Sequence, residues 1–394
     1  MKPVVIKNCR ILNTRTLALE AAATVLVEDG VITRIGADEP AAADAQVVDA
    51  KGMTLMPGMI DCHVHVVASS FNLGRVASLP NALALLRALP IMQGMLDRGF
   101  TSVRDAGGAD WALAQAVLDG TIDGPRLFCS GKALSQTGGH GDFRQRNGRV
   151  VDGVDNCRLA VREEILKGAT QIKVMASGGV ASPNDPIQNL GFSEAELIAI
   201  VEEANNANTY VMAHAYTPRA ITRAVRCGVR TIEHGNLVDR EAAEVMKEHG
   251  AYMVPTLITY EGLANDGERY GLPLDSVKKI ATVRTQGLTA LEILDEVGVK
   301  MGYGSDLLGE THYMQSDELV LRSRVLGNAK VIQQATLIGA EILNQEGLLG
   351  EVCEGAYADL LLIDGNPLDD IELLTKPDSI KLIMNRGLLH KNAC

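Results

Sequence analysis

The chain lacks any apolar run of about 18 residues or more, so no membrane-spanning helix is expected from it. It also lacks a basic block. Its 37 Lys and Arg face 49 Asp and Glu, a formal net charge of −12, whereas a phosphate-binding surface needs the opposite balance. Neither nucleic acid nor a membrane is an expected partner. There is no Cys-x-x-Cys among the seven cysteines, Cys9, Cys62, Cys129, Cys157, Cys227, Cys353 and Cys394. An odd, dispersed set fits free thiols in a reducing compartment, and a cytoplasmic location is expected. The opening residues 1–7 alternate like a first strand and hold too short an apolar stretch for a secretory signal. No Gly-x-Gly-x-x-Gly follows a first strand; "GYGSDLLG", residues 302–309, comes closest and has the wrong spacing for an open dinucleotide-binding sheet.

Histidine is scarce as well, with eight in 394 residues, yet "PGMIDCHVH" (57–65) places His63 and His65 one residue apart. The stretch reads as a strand entered through a Pro57-Gly58 turn. Residues i and i+2 of a strand share a face, so the two imidazoles are expected to project together, with Cys62 turned away as a core thiol. Such a pair by itself is either half of a metal site or an ordinary pair of packed histidines.

The texture of the chain changes twice. Residues 4–12, 24–27, 31–36 and 46–49 read as short strands, with Asp29-Gly30 as a hairpin turn. The far end resumes the same texture at 360–363 and in "SIKLIMNRGLLH". A small β-sandwich domain built from both ends, 1–56 and 347–394, is the economical arrangement, with a larger domain over 57–346 between them. There, apolar strands alternate with amphipathic helices such as the one opened by the capping-box spacing Ser193…Glu196. Eight strands are expected, at 60–66, 101–105, 127–132, 172–177, 210–215, 231–234, 252–257 and 301–305. With the helices between them they suit an α/β fold, a (β/α)8 TIM barrel.

Barrel enzymes carry their chemistry at the C-terminal strand ends, and several of these strands end in chemically useful groups. The first holds His63 and His65, the fourth Lys173, the fifth His214, the sixth His234 and the eighth Asp306. Each histidine alone could be a satisfied core residue. A lysine inside an apolar strand is harder to dismiss, because an uncompensated buried ammonium is very costly.

This ordered set resembles the amidohydrolase superfamily. The likeness rests on "HVH" after "PGMID", the fourth-strand lysine, single histidines on the fifth and sixth strands and the closing aspartate. "TSVRDAGG", "TGGHGD", "KVMASGG", "AHAYTPRAI" and "TIEHGN" are similar to the imidazolonepropionase-like branch that includes metal-dependent Xaa-Pro and Xaa-Arg dipeptidases. The resemblance implies a binuclear centre of two divalent ions, usually Zn2+, although the ligand types alone also admit Mn2+ or Co2+. His63, His65 and Asp306 would hold one ion and His214 and His234 the other. Lys173 would bridge them as a carbamate formed with CO2 (N6-carboxylysine), which turns a buried cation into an anionic ligand.

The same resemblance implies hydrolysis by a metal-bridging hydroxide, with Asp306 shuttling the proton to the leaving nitrogen. His140 would polarise the scissile carbonyl, its alternative being a loop-stabilising role. Tyr216 and, more weakly, Arg219 are candidates to grip a substrate carboxylate. The Gly- and Pro-rich loop 176–192 reads as a wall of the site or as a solvated connection. Deaminases of the superfamily carry His-x-x-Glu on the fifth strand, where this chain has Thr217, so a deaminase is disfavoured. The expected substrates are small molecules: L-Xaa-L-Pro dipeptides first, then dipeptides with C-terminal Arg or Lys, a cyclic amide or an N-acyl amino acid conjugate. A non-enzymatic binding protein on the same fold predicts missing ligands, and the set here is complete. The branch also implies a homo-oligomer.

Overall fold

A computed structural model of the chain describes residues 2–36, 44–142, 148–180, 182, 185–267, 269 and 274–394. Both chain ends contribute to one eight-stranded sheet. Its order is Leu388–Asn392, Ile380–Asn385, Leu360–Ile363, Thr54–Pro57, Val4–Asn13, Ala18–Glu28 and Val31–Gly36, with Gln46–Asp49 also paired to Val4–Asn13. Asp29 and Gly30 turn the hairpin with positive φ (48° and 81°), the hand that matches the strand twist. The stretch read from the sequence as one C-terminal strand is a second hairpin, because Arg386 and Gly387 (φ 54° and 76°) reverse the chain. Val4, Ile6, Leu360, Leu362, Leu382 and Met384 fill a core that belongs to this sheet.

Between the ends, parallel strands alternate with helices in a TIM-barrel-like arrangement. Met59–Val64, Phe100–Asp105 and Arg126–Cys129 form one sheet. Gly148–Val150, Ala133–Ser135, Ile172–Met175, Val211–Ala215, Thr231–His234 and Tyr252–Val254 form the other. The expected third strand is thus split between the two. The ladder breaks where Gly131 takes φ 67° and the Lys132 N–H donates to the Glu164 carboxylate (3.1 Å) instead of to a strand.

The expected eighth strand, 301–305, is reduced to one bridge between Met301 and Met253. At Gly304 the chain runs so close to its neighbours that a Cβ would lie 2.5 Å from Val254 Cγ1 and 3.1 Å from His63 Cβ. It threads between the seventh and first strands and still bonds to the first: Cys62 N–H donates to Tyr303 O and Asp306 N–H to His63 O, both at 2.8 Å. Those two bonds set the height of Asp306 against His63.

Helices complete the outer layer. Ser193 and Glu196 form the expected capping box, and Leu197, Ile200, Val201 and Ala204 of Glu194–Asn206 face inward. Among the described residues no helix is long and apolar enough to cross a membrane.

Candidate active site

Five of the eight histidines line one cavity of about 400 Å³, together with Lys173, Tyr216 and Asp306. Asp306 stands among three of them. Its Oδ1 lies 3.4 Å from His63 Nε2 and 3.2 Å from His65 Nε2, and its Oδ2 lies 3.8 Å from His234 Nδ1. The paired histidines share a face, with ring centroids 5.4 Å apart. His214 and His234 follow at 4.7 Å, because register pairs Ala215 with His234 on adjacent strands. Asp306 (φ 50°) and His234 (φ 73°) both adopt left-handed backbone, a strain of about 1–3 kcal/mol each that persists where surrounding contacts over-determine it. Here it closes the strand Thr231–His234 and the threaded segment before Asp306, and both side chains line the cavity.

The donor pattern tests whether a cation fits. His63 Nδ1 lies 2.7 Å from the Glu233 carboxylate and His65 Nδ1 lies 3.1 Å from Gly107 O. Both partners only accept, so each ring carries a hydrogen on Nδ1 and faces Asp306 with Nε2, the nitrogen that a cation would take in place of a proton. Two imidazole nitrogens and a carboxylate oxygen thus converge, and the ligand atoms of the three residues lie within 4.8 Å of one another. A divalent cation satisfies that set, and imidazole nitrogen with carboxylate oxygen suits zinc. The His63–His65–Asp306 group is therefore a possible metal site.

Electrostatics distinguish the remaining groups. Lys173 is 2 % exposed and makes no hydrogen bond or ion pair among the described residues. Burial drags its amine down to about 8, against the pull of Glu233 and Asp306. Burial also holds His214 and His234 well below the ordinary histidine range. For Asp306 burial acts upward, but the charge and hydrogen bond of His63, then His65, hold the carboxylate well below its usual value. For His65 burial acts downward and Asp306 overcomes it, raising the imidazole.

His140 stacks on His214 (centroids 4.3 Å) and its Nδ1 meets Ser182 Oγ at 2.9 Å. Burial, then the Lys173 charge, lowers it to about 3. Tyr216 stacks on His234 at 5.3 Å, and its hydroxyl shares a hydrogen bond with Tyr260 (2.9 Å). Residues 181, 183 and 184 of the loop 176–192 lie outside the described residues. Gly179 of that loop packs on His140, and Lys279 Nζ donates to the carbonyls of Gly179, Ser182 and Asp185 at 3.1, 2.7 and 3.0 Å. Arg219 is not brought to the site. It is exposed on helix Pro218–Arg226 and lines a separate surface groove with Arg223 and Arg226. The helix turns it outward, so the expected contact with a substrate carboxylate has no geometric basis. Cys62 also stays out, packed with Ile60 and Val254, where burial pushes the thiol up to about 12.

Several residues beneath the cavity were not found from the sequence. Glu233 and Arg104 are completely buried and paired at 2.9 Å. Asp61 accepts from His63 N–H, Ser305 N–H and Ser305 Oγ–H at 3.0, 3.2 and 2.6 Å, which joins the first strand to the Asp306 turn. Asp105 accepts from Val66, Gly107 and Ala109 N–H groups and shapes the loop that receives His65 Nδ1. The argument that singled out Lys173, a charge inside a short apolar strand, applies equally to Arg104 in "TSVRD" and Glu233 in "TIEH".

Comparison with known proteins agrees with this geometry. The chain is 34% identical to an ochratoxinase of Aspergillus niger over 366 residues, covering 86% of this chain and 75% of that one. A crystal structure of a prolidase complexed with N-methylphosphonate-L-proline superposes with a TM-score of 0.97 at 54% identity, covering 99% of this chain and 100% of that chain. A Xaa-Pro dipeptidase with bound methionine in the active site matches with a TM-score of 0.90 at 28% identity, again over 99% and 100% of the two chains. Residues 54–389 match the amidohydrolase family, and the chain belongs to that family and to its prolidase-like branch.

Proposed function

We propose that the protein is a binuclear metal-dependent amidohydrolase that releases L-proline from L-Xaa-L-Pro dipeptides and N-acyl-L-prolines. The observation that carries this reading is the convergence of His63, His65 and Asp306 beside a buried lysine that makes no hydrogen bond or ion pair among the described residues. The similarity to a prolidase complexed with N-methylphosphonate-L-proline supports proline as the leaving group. Phosphorus in such a ligand is tetrahedral, like an amide carbon to which water has added. On this reading residues 57–346 form the catalytic barrel, and 1–56 with 347–394 form the small β-sandwich domain.

His63, His65 and Asp306 would hold one ion, His214 and His234 the other, and Lys173, carbamylated by CO2, both. Such ions would supply Lewis acidity there, lowering the pKa of water and polarising the scissile carbonyl. Asp306, held anionic, takes the proton of the attacking water and delivers it to the departing proline nitrogen. His140, kept neutral by burial, directs a ring N–H at the oxygen that gains charge. Tyr216 is the candidate contact for the substrate carboxylate.

The cavity also bears on the choice among substrates. Asp306 is the single carboxylate among its described lining residues, and Phe71, Val180, Leu263 and Leu308 give it an apolar wall. Among the described lining residues a basic substrate side chain would find no carboxylate besides Asp306, which disfavours C-terminal Arg or Lys. A free α-ammonium meets the same difficulty, so N-acyl-prolines are a second reading beside the dipeptides. A library of dipeptides and N-acyl amino acids scored for amine release tests this. Turnover is expected to be greatest for Pro at the leaving position with an uncharged apolar acyl partner. Turnover confined to C-terminal Arg or Lys sinks the proline assignment, and no turnover of any amide by the metal-loaded protein sinks the reaction.

Gly179→Ala tests His140. The added Cβ falls 2.3 Å from the His140 Cε1 atom, so the ring must move. A displacement near 1 Å at a reacting group costs about 100-fold. Loss of kcat/KM with an unchanged melting temperature is the expected outcome, and wild-type kinetics remove His140 from the reaction.

A further inference from the structure

The histidines around Asp306 are not equivalent. His65 is backed by a peptide carbonyl, His234 Nδ1 by the Thr256 hydroxyl (2.8 Å), and His214 Nε2 by Gly178 O (3.2 Å). Among the described residues His63 alone of these four is backed by a carboxylate, Glu233, at 2.7 Å. That carboxylate is fixed from the other side. Glu233 Oε1 accepts from Arg104 Nη2 at 2.9 Å and from Thr231 Oγ1 at 2.7 Å. Arg104 Nε donates in turn to Cys62 O at 2.6 Å, the carbonyl next to His63. All of these side chains are buried, and they come from three strands.

We propose that Glu233, clamped by Arg104, is a positioning residue that commits His63 to the Nδ1–H form and makes its Nε2 the strongest nitrogen donor of the site. The inference rests on the metal-centre reading and extends it below the ligands. A carboxylate that accepts the far N–H of an imidazole fixes ring and tautomer together and raises the basicity of the other nitrogen. Arg104 gives the arrangement its stability. Its guanidinium is the one cation paired with Glu233 among the described ion pairs, at 2.9 Å, and holds the carboxylate in place behind the His63 ring. The guanidinium also grips the backbone beside His63, so one group sets both the acceptor and the strand that carries the donor. A purely structural ion pair would support the fold without favouring a tautomer or changing a cation's affinity.

Two measurements separate these roles. In metal-free wild-type protein labelled with 15N-histidine, the His63 resonances, assigned by their loss in His63→Gln, should show a protonated Nδ1 and an unprotonated Nε2. The opposite tautomer overturns the proposal. The second measurement is calorimetric titration of metal-free protein with Zn2+, comparing wild type with the double variant Glu233→Leu, Arg104→Met. Removing both charges avoids a stranded ion, and buried pairs replaced by apolar groups of similar volume commonly keep the fold. Zinc is expected to bind about 10- to 100-fold more weakly to the variant, the usual loss for a ligand's outer partner. Unchanged affinity overturns the proposal and leaves the metal reading standing. Wild-type protein that takes up no zinc overturns the metal reading, and this inference with it.

Discussion

Lys173→Ala is expected to yield a folded protein that holds almost no divalent metal and hydrolyses amides at least about a thousandfold more slowly, the upper range for losing one central electrostatic group. The wild-type amine is buried and makes no hydrogen bond or ion pair among the described residues, so its removal breaks no bond of the fold. Its pKa near 8 leaves a fraction neutral at ordinary pH, and the neutral amine is the form that adds to CO2, losing one proton as the carbamate forms. Acetate or propionate should restore part of the metal content and rate in the variant by standing where the carbamate oxygens would be. Elemental analysis and turnover check this. Full metal content and wild-type rate would sink the role given to Lys173.

The same lysine gives a pH signature. Its folded pKa is depressed from 10.5 to about 8, so between those values the unfolded chain binds the extra proton. The penalty of the unmodified lysine is therefore complete below pH 8 and fades as pH rises toward 10.5. In CO2-free, metal-free buffer the melting temperature of wild type should approach that of Lys173→Ala across this window. A gap independent of pH contradicts the burial argument.

Asp306→Asn is expected to lower kcat by about 10²- to 10⁴-fold, the range for a positioned proton-transfer group, while KM changes far less. The amide keeps the size of the carboxyl and an oxygen between His63 and His65, but it cannot accept a proton. The carboxylate suits the task because its neighbours hold it ionised and because the bond from its own N–H to His63 O fixes it against the first strand. Its strained backbone (φ 50°) can stay as it is, since Asn tolerates that region as well as Asp does. Measured kcat at saturating substrate decides the matter. A wild-type kcat would assign proton transfer to another group.

Much of this architecture was legible in the residues because it follows from local chemistry. Alternation along "PGMIDCHVH" put His63 and His65 on one face and Cys62 on the other, and both placements hold. Asp29-Gly30 and Ser193…Glu196 are short-range signals, and each made the turn or cap that it encodes. Failures came where longer-range packing took over. Met301–Ser305 has the composition of a strand, but close approach at Gly304 leaves it a threaded segment with a single bridge. Arg219 stands three residues after Tyr216, yet the start of a helix turns one outward and leaves the other lining the cavity.

By itself the sequence determined which residue types the parallel strands deliver and in what order, because strand periodicity and the economics of burying a charge are local rules. Its composition and spacings also set the expectation against a basic nucleic-acid surface, a disulfide framework and a dinucleotide loop. Only the tertiary structure decided that Asp306 stands among three imidazoles, His234 as well as His63 and His65. That position depends on where the first and last parallel segments meet, fixed by two backbone hydrogen bonds between residues more than 240 apart in sequence. Only the tertiary structure, too, set Glu233 behind His63 and Arg104 behind Glu233. A buried charge announces in the sequence that it needs a partner. Which partner it finds depends on the register of strands brought together from distant parts of the chain.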